Sequence, residues 1–211
     1  MIPTKDEWKE ALEERHGKEL QQAFSSATVA ICGLGGLGSN IAIALARAGI
    51  GRLILIDFDR VDITNLHRQQ YKADQIGRYK TEALADNLRE IAPYIELEIH
   101  TEHITEDIAV TLLQGVDIIC EAFDNAEAKA MLTDIVLSEL PDKYLVAASG
   151  MAGMGVTNSI RTRRITSRFY LCGDETSEVS DGIGLVAPRV ALCAAHEAHT
   201  ALRILAKQFD V

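Results

Sequence analysis

The run Thr28-Val29-Ala30-Ile31-Cys32-Gly33-Leu34-Gly35-Gly36-Leu37-Gly38-Ser39-Asn40 constrains the fold more than any other part of this chain. It reads as a buried strand, a glycine-rich turn and a helix start, an arrangement that grips the phosphates of a nucleotide. In such a loop Gly33 permits the tight turn, Gly35 lets main chain approach phosphate oxygens, and Gly38 lets the helix pack against the strand. The helix end then offers unpaired N–H groups and a positive dipole to an anion.

The surrounding sequence supports this reading. Residues 41–48 form a good helix that stops at Gly49, and Arg52-Leu53-Ile54-Leu55-Ile56 is an apolar run suited to a parallel strand covered on both faces. Asp57 follows at once, an acid about 20 residues beyond the glycines, where a ribose hydroxyl pair is held. Further along, helices are expected over 81–91, 107–113 and 126–140, and strands over 95–99, 116–121 and 144–148. This alternation predicts a Rossmann-like α/β fold: a doubly wound, mostly parallel sheet.

The two ends of the chain depart from that alternation. Residues 4–24 read as an N-terminal helical extension, with a Thr4/Glu7 capping box, helical spacing of Trp8, Leu12, Leu20 and Phe24, and a break at Gly17. Residues 157–171 read as antiparallel C-terminal strands with Arg161, Arg163, Arg164 and Arg168 facing outward. Residues 172–188 form a long segment rich in Gly, Ser and acids, and segments of this length are usually functional or disordered. A final helix is expected over 190–207, with Pro188 near its start. The expected organisation is a helical extension over 1–27 and one nucleotide-binding domain over 28–211.

Composition narrows the partners. With 211 residues, 47% of them hydrophobic, the chain can bury a real core, and its net charge of -10 argues against a general nucleic-acid or membrane binder. Cys32, Cys120, Cys172 and Cys193 form no Cys-x-x-Cys pair, so neither a disulfide framework nor a zinc site is expected, and a reducing cytoplasm fits best. The polar start and the lack of any run of ~18 apolar residues imply a soluble, unexported protein.

A dinucleotide brings two phosphate charges, whereas ATP brings two more and a metal. After Asp57 the chain supplies Asn65-Leu66-His67-Arg68-Gln69 and then Lys80, placing a guanidinium and an ammonium within one loop of the ribose position. Asp124 follows the strand ending at Glu121, at the carboxyl edge where open sheets bind ligands, and fits either a Mg²⁺ ligand or the cap of the next helix. Asn65 likewise fits either a ligand contact or the cap of a short turn over 65–70. His67 and His103 have no evident partners.

Gly33-x-Gly35-Gly36-x-Gly38, Asp57-Phe58-Asp59, Asn65-x-x-Arg68-Gln69, Lys80 and Asp124-Asn125 together resemble the activating enzymes of sulfur-carrier and ubiquitin-like proteins. The likeness, strongest over 28–155, is to the adenylyltransferases of thiamine and molybdopterin synthesis, and the missing zinc-binding cysteine pairs suggest a short thiamine-type form. It implies that Asp57 holds the ribose, that Asn65, Arg68 and Lys80 meet the phosphates, and that Asp124 holds Mg²⁺. It also implies a homodimer in which Arg15 reaches the ATP of the neighbouring subunit. The implied reaction joins the C-terminal carboxylate of a small carrier ending in Gly-Gly to the α-phosphorus of ATP, giving an acyl-adenylate and pyrophosphate. Some relatives link covalently to the carrier through a loop cysteine; Cys172 borders such a loop, and its other reading is a structural thiol. An NAD(P)-dependent oxidoreductase, a non-catalytic nucleotide sensor and a related dehydratase acting on modified tRNA are the competing readings.

Overall fold

The computed structural model describes residues 2–179 and 183–211; Ser180, Asp181 and Gly182, part of the long acidic segment, lie outside the described residues. The chain opens with α1 (Lys5–His16) and α2 (Lys18–Ser25). Thr4 and Glu7 cap the first helix reciprocally, the Glu7 N–H donating to Thr4 Oγ1 and the Thr4 N–H to Glu7 Oε2. Gly17, at φ 84°, separates the two helices.

Next come β1 (Thr28–Cys32), α3 (Gly36–Arg47), β2 (Arg52–Ile56), α4 (Lys80–Ile91), β3 (Glu96–His100), α5 (Glu106–Leu113) and β4 (Ile118–Glu121). They are followed by α6 (Ala126–Glu139), β5 (Tyr144–Ala148), β6 (Arg161–Arg164), β7 (Phe169–Gly173) and α7 (Ala187–Leu205). The strands form one sheet in the order β3-β2-β1-β4-β5-β7-β6. β7 runs parallel to β5, and β6 alone among the described strands is antiparallel, so the expected antiparallel C-terminal pair adds a parallel strand and one reversed edge.

Alternate residues of the central strands feed two cores, as strand geometry requires. Val29, Ile31, Leu53, Leu55 and Cys120 face a layer built on α3, α4 and α7, while Ala30, Cys32, Ile54, Ile56 and Ile119 face α5 and α6. Covering both faces makes these strands continuously apolar, which is why the sequence signal was strong. Among the described residues no helix is long and apolar enough to cross a membrane.

The crossing of α3 over β1 depends on one missing side chain. A Cβ on Gly38 would stand 1.8 Å from the carbonyl oxygen of Gly33, which itself turns at φ 92°. Backbone cannot yield as a side-chain tip would, so helix and strand touch only because residue 38 has no side chain.

Beneath the sheet's carboxyl edge lies a buried charged group. Lys129 Nζ donates to both carboxylate oxygens of Glu121, at 3.0 and 2.9 Å, and to the carbonyl of Ala148 at 3.0 Å, tying β4 to β5. Glu197 of α7 is fully buried, and neither of its carboxylate oxygens has a hydrogen-bond partner among the described residues. Burial, reinforced by the nearby Glu121 charge, pushes its carboxyl well above the usual range, so it is held as the neutral acid.

Two outcomes are expected. Gly38→Ala should cost about 1–3 kcal/mol or more by overpacking, read as a lower urea midpoint. Because the Glu197 proton is held more tightly folded than unfolded, stability should fall as pH rises from the ordinary glutamate range toward the folded pKa. Glu197→Gln, which cannot ionise, should flatten that fall in a series of Tm measurements against pH.

Candidate nucleotide site

In the sheet order the chain leaves β1 toward β2 on one side and has β4 on the other, and a crevice opens between their carboxyl ends. The crevice is a cleft of about 760 Å³, lined by the glycine turn, Asp57, Asp59, Asn65, Arg68, Gln69, Lys80, Asp124 and Asn125. Thus the predicted residues of the turn other than Gly38, of the loop, of the two strand ends and of the start of α4 are brought together from five separate segments. Arg15 is not: it is an exposed residue of α1, and α1 and α2 pack at the opposite edge of the sheet, where the Gly51 N–H donates to the Phe24 carbonyl.

Asp57 organises the first wall. One carboxylate oxygen accepts the Leu34 N–H at 2.6 Å and the other the Asp59 N–H at 2.7 Å, so the residue expected to hold ribose also fixes the glycine turn. Burial raises its pKa, opposed by Lys80 and these N–H donors. Lys80, almost fully buried at the start of α4, puts Nζ 2.7 Å from Asp59 and 4.0 Å from Asp57. Gly35 begins α3 without a side-chain cap, leaving the first-turn N–H groups available to an anion.

The Asn65–Gln70 loop is stapled to that helix start. Asn40 Nδ2 donates to the Arg68 carbonyl at 3.2 Å, and the Gln70 N–H donates to Ser39 Oγ at 3.1 Å. Asp62 caps the short turn Ile63–Asn65, its Oδ1 accepting the Thr64 N–H at 2.8 Å, and in the turn over 65–70 the Asn65 carbonyl accepts the Arg68 and Gln69 N–H groups while its side chain makes no cap. Asn65 Oδ1 instead accepts from the Arg68 guanidinium at 2.9 Å and aims it. Arg68 Nε and Gln69 Oε1 are buried without partners among the described residues, and buried polar atoms are seldom left so unless a ligand or water completes them.

Across the cleft the two candidate roles of Asp124 separate. Asn125 caps α6, its Oδ1 accepting the N–H groups of Glu127 and Ala128 at 2.9 and 3.0 Å. Asp124 is therefore exposed to the cleft rather than used as a cap. Burial lowers the pKa of Arg68, and the Asp124 charge opposes that shift, so the acid and the guanidinium act on each other across the opening. A glycine cradle, two cations, two unpartnered polar atoms and a cleft-facing carboxylate form a donor set suited to a metal-bound polyphosphate.

Several features escaped the sequence reading. Phe58 and His103 stack at 4.5 Å between ring centroids and line the cleft, giving the histidine a partner that only the β2–β3 adjacency reveals. His67 lies 3.0 Å from the Thr64 carbonyl and 3.1 Å from that of Leu185, joining the Arg68 loop to the segment before α7. Cys172 is fully buried in β7, and burial pushes its thiol up to about 12, which does not suit a nucleophile. The outward arginines are largely engaged: Arg163 with Glu175, Arg164 with the carbonyls of Thr166 and Ser167, and Arg168 with that of Asp142.

The fold places the chain in the open, doubly wound α/β class, with its cleft at the point where strand order reverses. A model of the ThiF family matches residues 9–210, and the chain belongs to that family. It is 35% identical over 133 residues to the adenylyltransferase and sulfurtransferase MOCS3 of Caenorhabditis briggsae, covering 62% of this chain and 32% of that one. Against the adenylyltransferase and sulfurtransferase uba4 of Aspergillus terreus the identity is 38% over 136 residues, 64% of this chain and 28% of the relative. The chain thus spans about a third of the length of these curated relatives. Among solved structures, Escherichia coli tRNA N6-threonylcarbamoyladenosine dehydratase in complex with ATP superposes with a TM-score of 0.86 at 24% identity, over 98% of each chain. Escherichia coli MccB with ATP gives 0.70 at 22%, over 90% of this chain and 58% of that one. These likenesses are of fold.

Asp57→Asn tests the first wall, because an amide can accept one of the two N–H groups but turns its own NH₂ toward the other. A loss of about 1–3 kcal/mol in urea unfolding, with weaker nucleotide binding by titration, is expected.

Proposed function

We propose that this protein activates the C-terminal carboxylate of a small ubiquitin-like sulfur carrier ending in Gly-Gly, using ATP and Mg²⁺, in a thiamine-type sulfur-transfer route. The observation that carries this reading is the convergence in one cleft of Arg68, with an unpartnered Nε, Lys80, the uncapped start of α3, and the cleft-facing Asp124. Curated relatives named as adenylyltransferases support it.

Each residue has a task that follows from its placement. The turn at Gly33, Gly35, Gly36 and Gly38 presents main-chain N–H groups to phosphate, and Asp57 accepts from the ribose while holding the turn. The Phe58–His103 stack offers an aromatic face to the base. Arg68 and Gln69, aimed by Asn65, meet phosphate oxygens through atoms that otherwise lack partners. Lys80 adds a point charge, with Asp59 as its resting counterion. Asp124 would hold Mg²⁺, which neutralises phosphate charge, with Asn125 fixing the helix behind it. A carrier carboxylate, with a pKa of about 3.3–3.7, is already an anion near neutral pH and needs no base. Its oxygen bonds to the α-phosphorus as the bond to the bridging oxygen breaks, and pyrophosphate leaves with that electron pair. The protein's contribution is positioning and charge neutralisation. In a homodimer, Arg15 would serve the partner's cleft, consistent with its exposure away from its own.

A dehydratase acting on modified tRNA is the second reading, favoured by the full-length superposition on a protein of that name. Arg163 is paired with Glu175 while Arg161, Arg164 and Arg168 keep their charge, but the net charge of -10 sets the chain as a whole against a polyanion and favours the carrier. An oxidoreductase using NAD(P) gives Arg68, Lys80 and Asp124 nothing to do.

Mg-ATP, radiolabelled pyrophosphate and small carriers ending in Gly-Gly, mixed with the protein, should give carrier-dependent ATP–pyrophosphate exchange. Exchange should fall roughly 100-fold or more in Arg68→Ala and in Asp124→Ala. Exchange undiminished in both variants, or NAD binding that excludes ATP, would overturn the proposal.

A further inference from the structure

A second buried ion pair, away from the nucleotide residues, organises the other wall of the cleft. Arg189, on the first turn of α7, and Asp174, just after β7, are 6% and 8% exposed and form an ion pair. The same guanidinium donates to the carbonyls of Gly155 and Val156, at 3.1 and 3.3 Å, and to Ser159 Oγ at 3.1 Å. Asp174 Oδ1 accepts the N–H groups of Thr176 and Ser177, at 3.0 and 2.8 Å, and the Ala152 N–H donates to Ser177 Oγ at 3.0 Å. One arginine thus locks together the loop after β5, the turn after β7 and the start of α7.

What these segments present is chemically unlike the nucleotide side. Met151, Ala152, Val179, Leu185 and Val190 line the cleft there, with Ser177 the polar exception. Beyond them Met154 and Val156 stand 73% and 76% exposed, on the loop whose carbonyls Arg189 holds. A backbone bond from the Gly153 N–H to the Gly184 carbonyl, at 2.9 Å, extends the surface to the exposed Ile183. An apolar platform of small and flexible side chains beside a phosphate site suits an extended peptide tail of small residues, not a polyphosphate.

We infer that Arg189, through its pair with Asp174, is a positioning residue for the second substrate: it sets the apolar wall along which the carrier tail approaches the nucleotide. This rests on the proposed function for the identity of that substrate. Arg189 and Asp174 are not among the cleft-lining residues, so their effect passes through the loops they hold. A guanidinium that serves two carbonyls, a hydroxyl and a carboxylate has a fork geometry that lysine lacks.

The test uses the full chain with Arg189→Lys, which keeps the charge and spares the fold, together with Asp174→Asn. Mg-ATP affinity by titration should stay within about twofold of the unmodified protein, while the carrier KM in the exchange assay rises roughly tenfold with little change in kcat. Amide hydrogen exchange at Ala152, Gly153 and Ser177 should quicken, with the Leu34 and Asp59 amides still protected. A parallel loss of Mg-ATP affinity, or amide protection unchanged over 151–159, would overturn the inference. Should no carrier support exchange by the unmodified protein, the proposed function fails, and the amide pattern with intact ATP affinity still decides whether Arg189 holds this wall separately.

Discussion

The short bond from the Leu34 N–H to the Asp57 carboxylate is the contact on which the site depends. It joins the turn after β1 to the end of β2 across 23 positions of sequence, and it does so with an acid that is itself buried beside a lysine. Burying a carboxylate is costly unless its oxygens are satisfied, and here backbone donors and Lys80 meet that requirement together. Once the turn is fixed in this way, α3 must cross β1 at the Gly33–Gly38 contact, and its first-turn N–H groups are aimed into the cleft. Ser39 and Asn40, on the same turn, then carry the orientation outward to the loop bearing Arg68.

Much of this was legible because it is local. A strand buried on both faces announces itself as an unbroken apolar run, a capping box as Thr4 and Glu7 three apart, a helix stop as Gly49. Gly33 and Gly38 were equally readable, since a positive φ at one and a backbone contact at the other allow no other residue. Hence the Rossmann-like architecture and the glycine and charged side of the cleft followed from the chain alone, whereas its apolar side did not.

What escaped depended on backbone direction or on distant partners. Asp124 and Asn125 are neighbours with similar capping ability, and sequence could not say which would turn its oxygen toward the α6 N–H groups and which would face the cleft. Asn65 was equally able to cap its own turn, but its side-chain oxygen is spent on the Arg68 guanidinium three residues on. The arginine strip reads as a basic surface, but Glu175 neutralises Arg163, and turn carbonyls that no composition records hold Arg164 and Arg168 in place without removing their charge. Cys172 bordered a promising loop, yet β7 carries it into the core, where its thiol is kept protonated. Arg189 and Asp174 meet only because α7 returns beneath the end of β7, a consequence of the whole sheet order.

The cleft has two walls with separate foundations, one on Asp57 and Lys80, the other on Arg189 and Asp174. Neither pair shares a hydrogen bond with the other among the described residues. Such a layout lets descent act on the halves at different rates. A lineage can reshape the loops after β5 and β7 while the glycine turn and its Asp57 anchor are inherited intact.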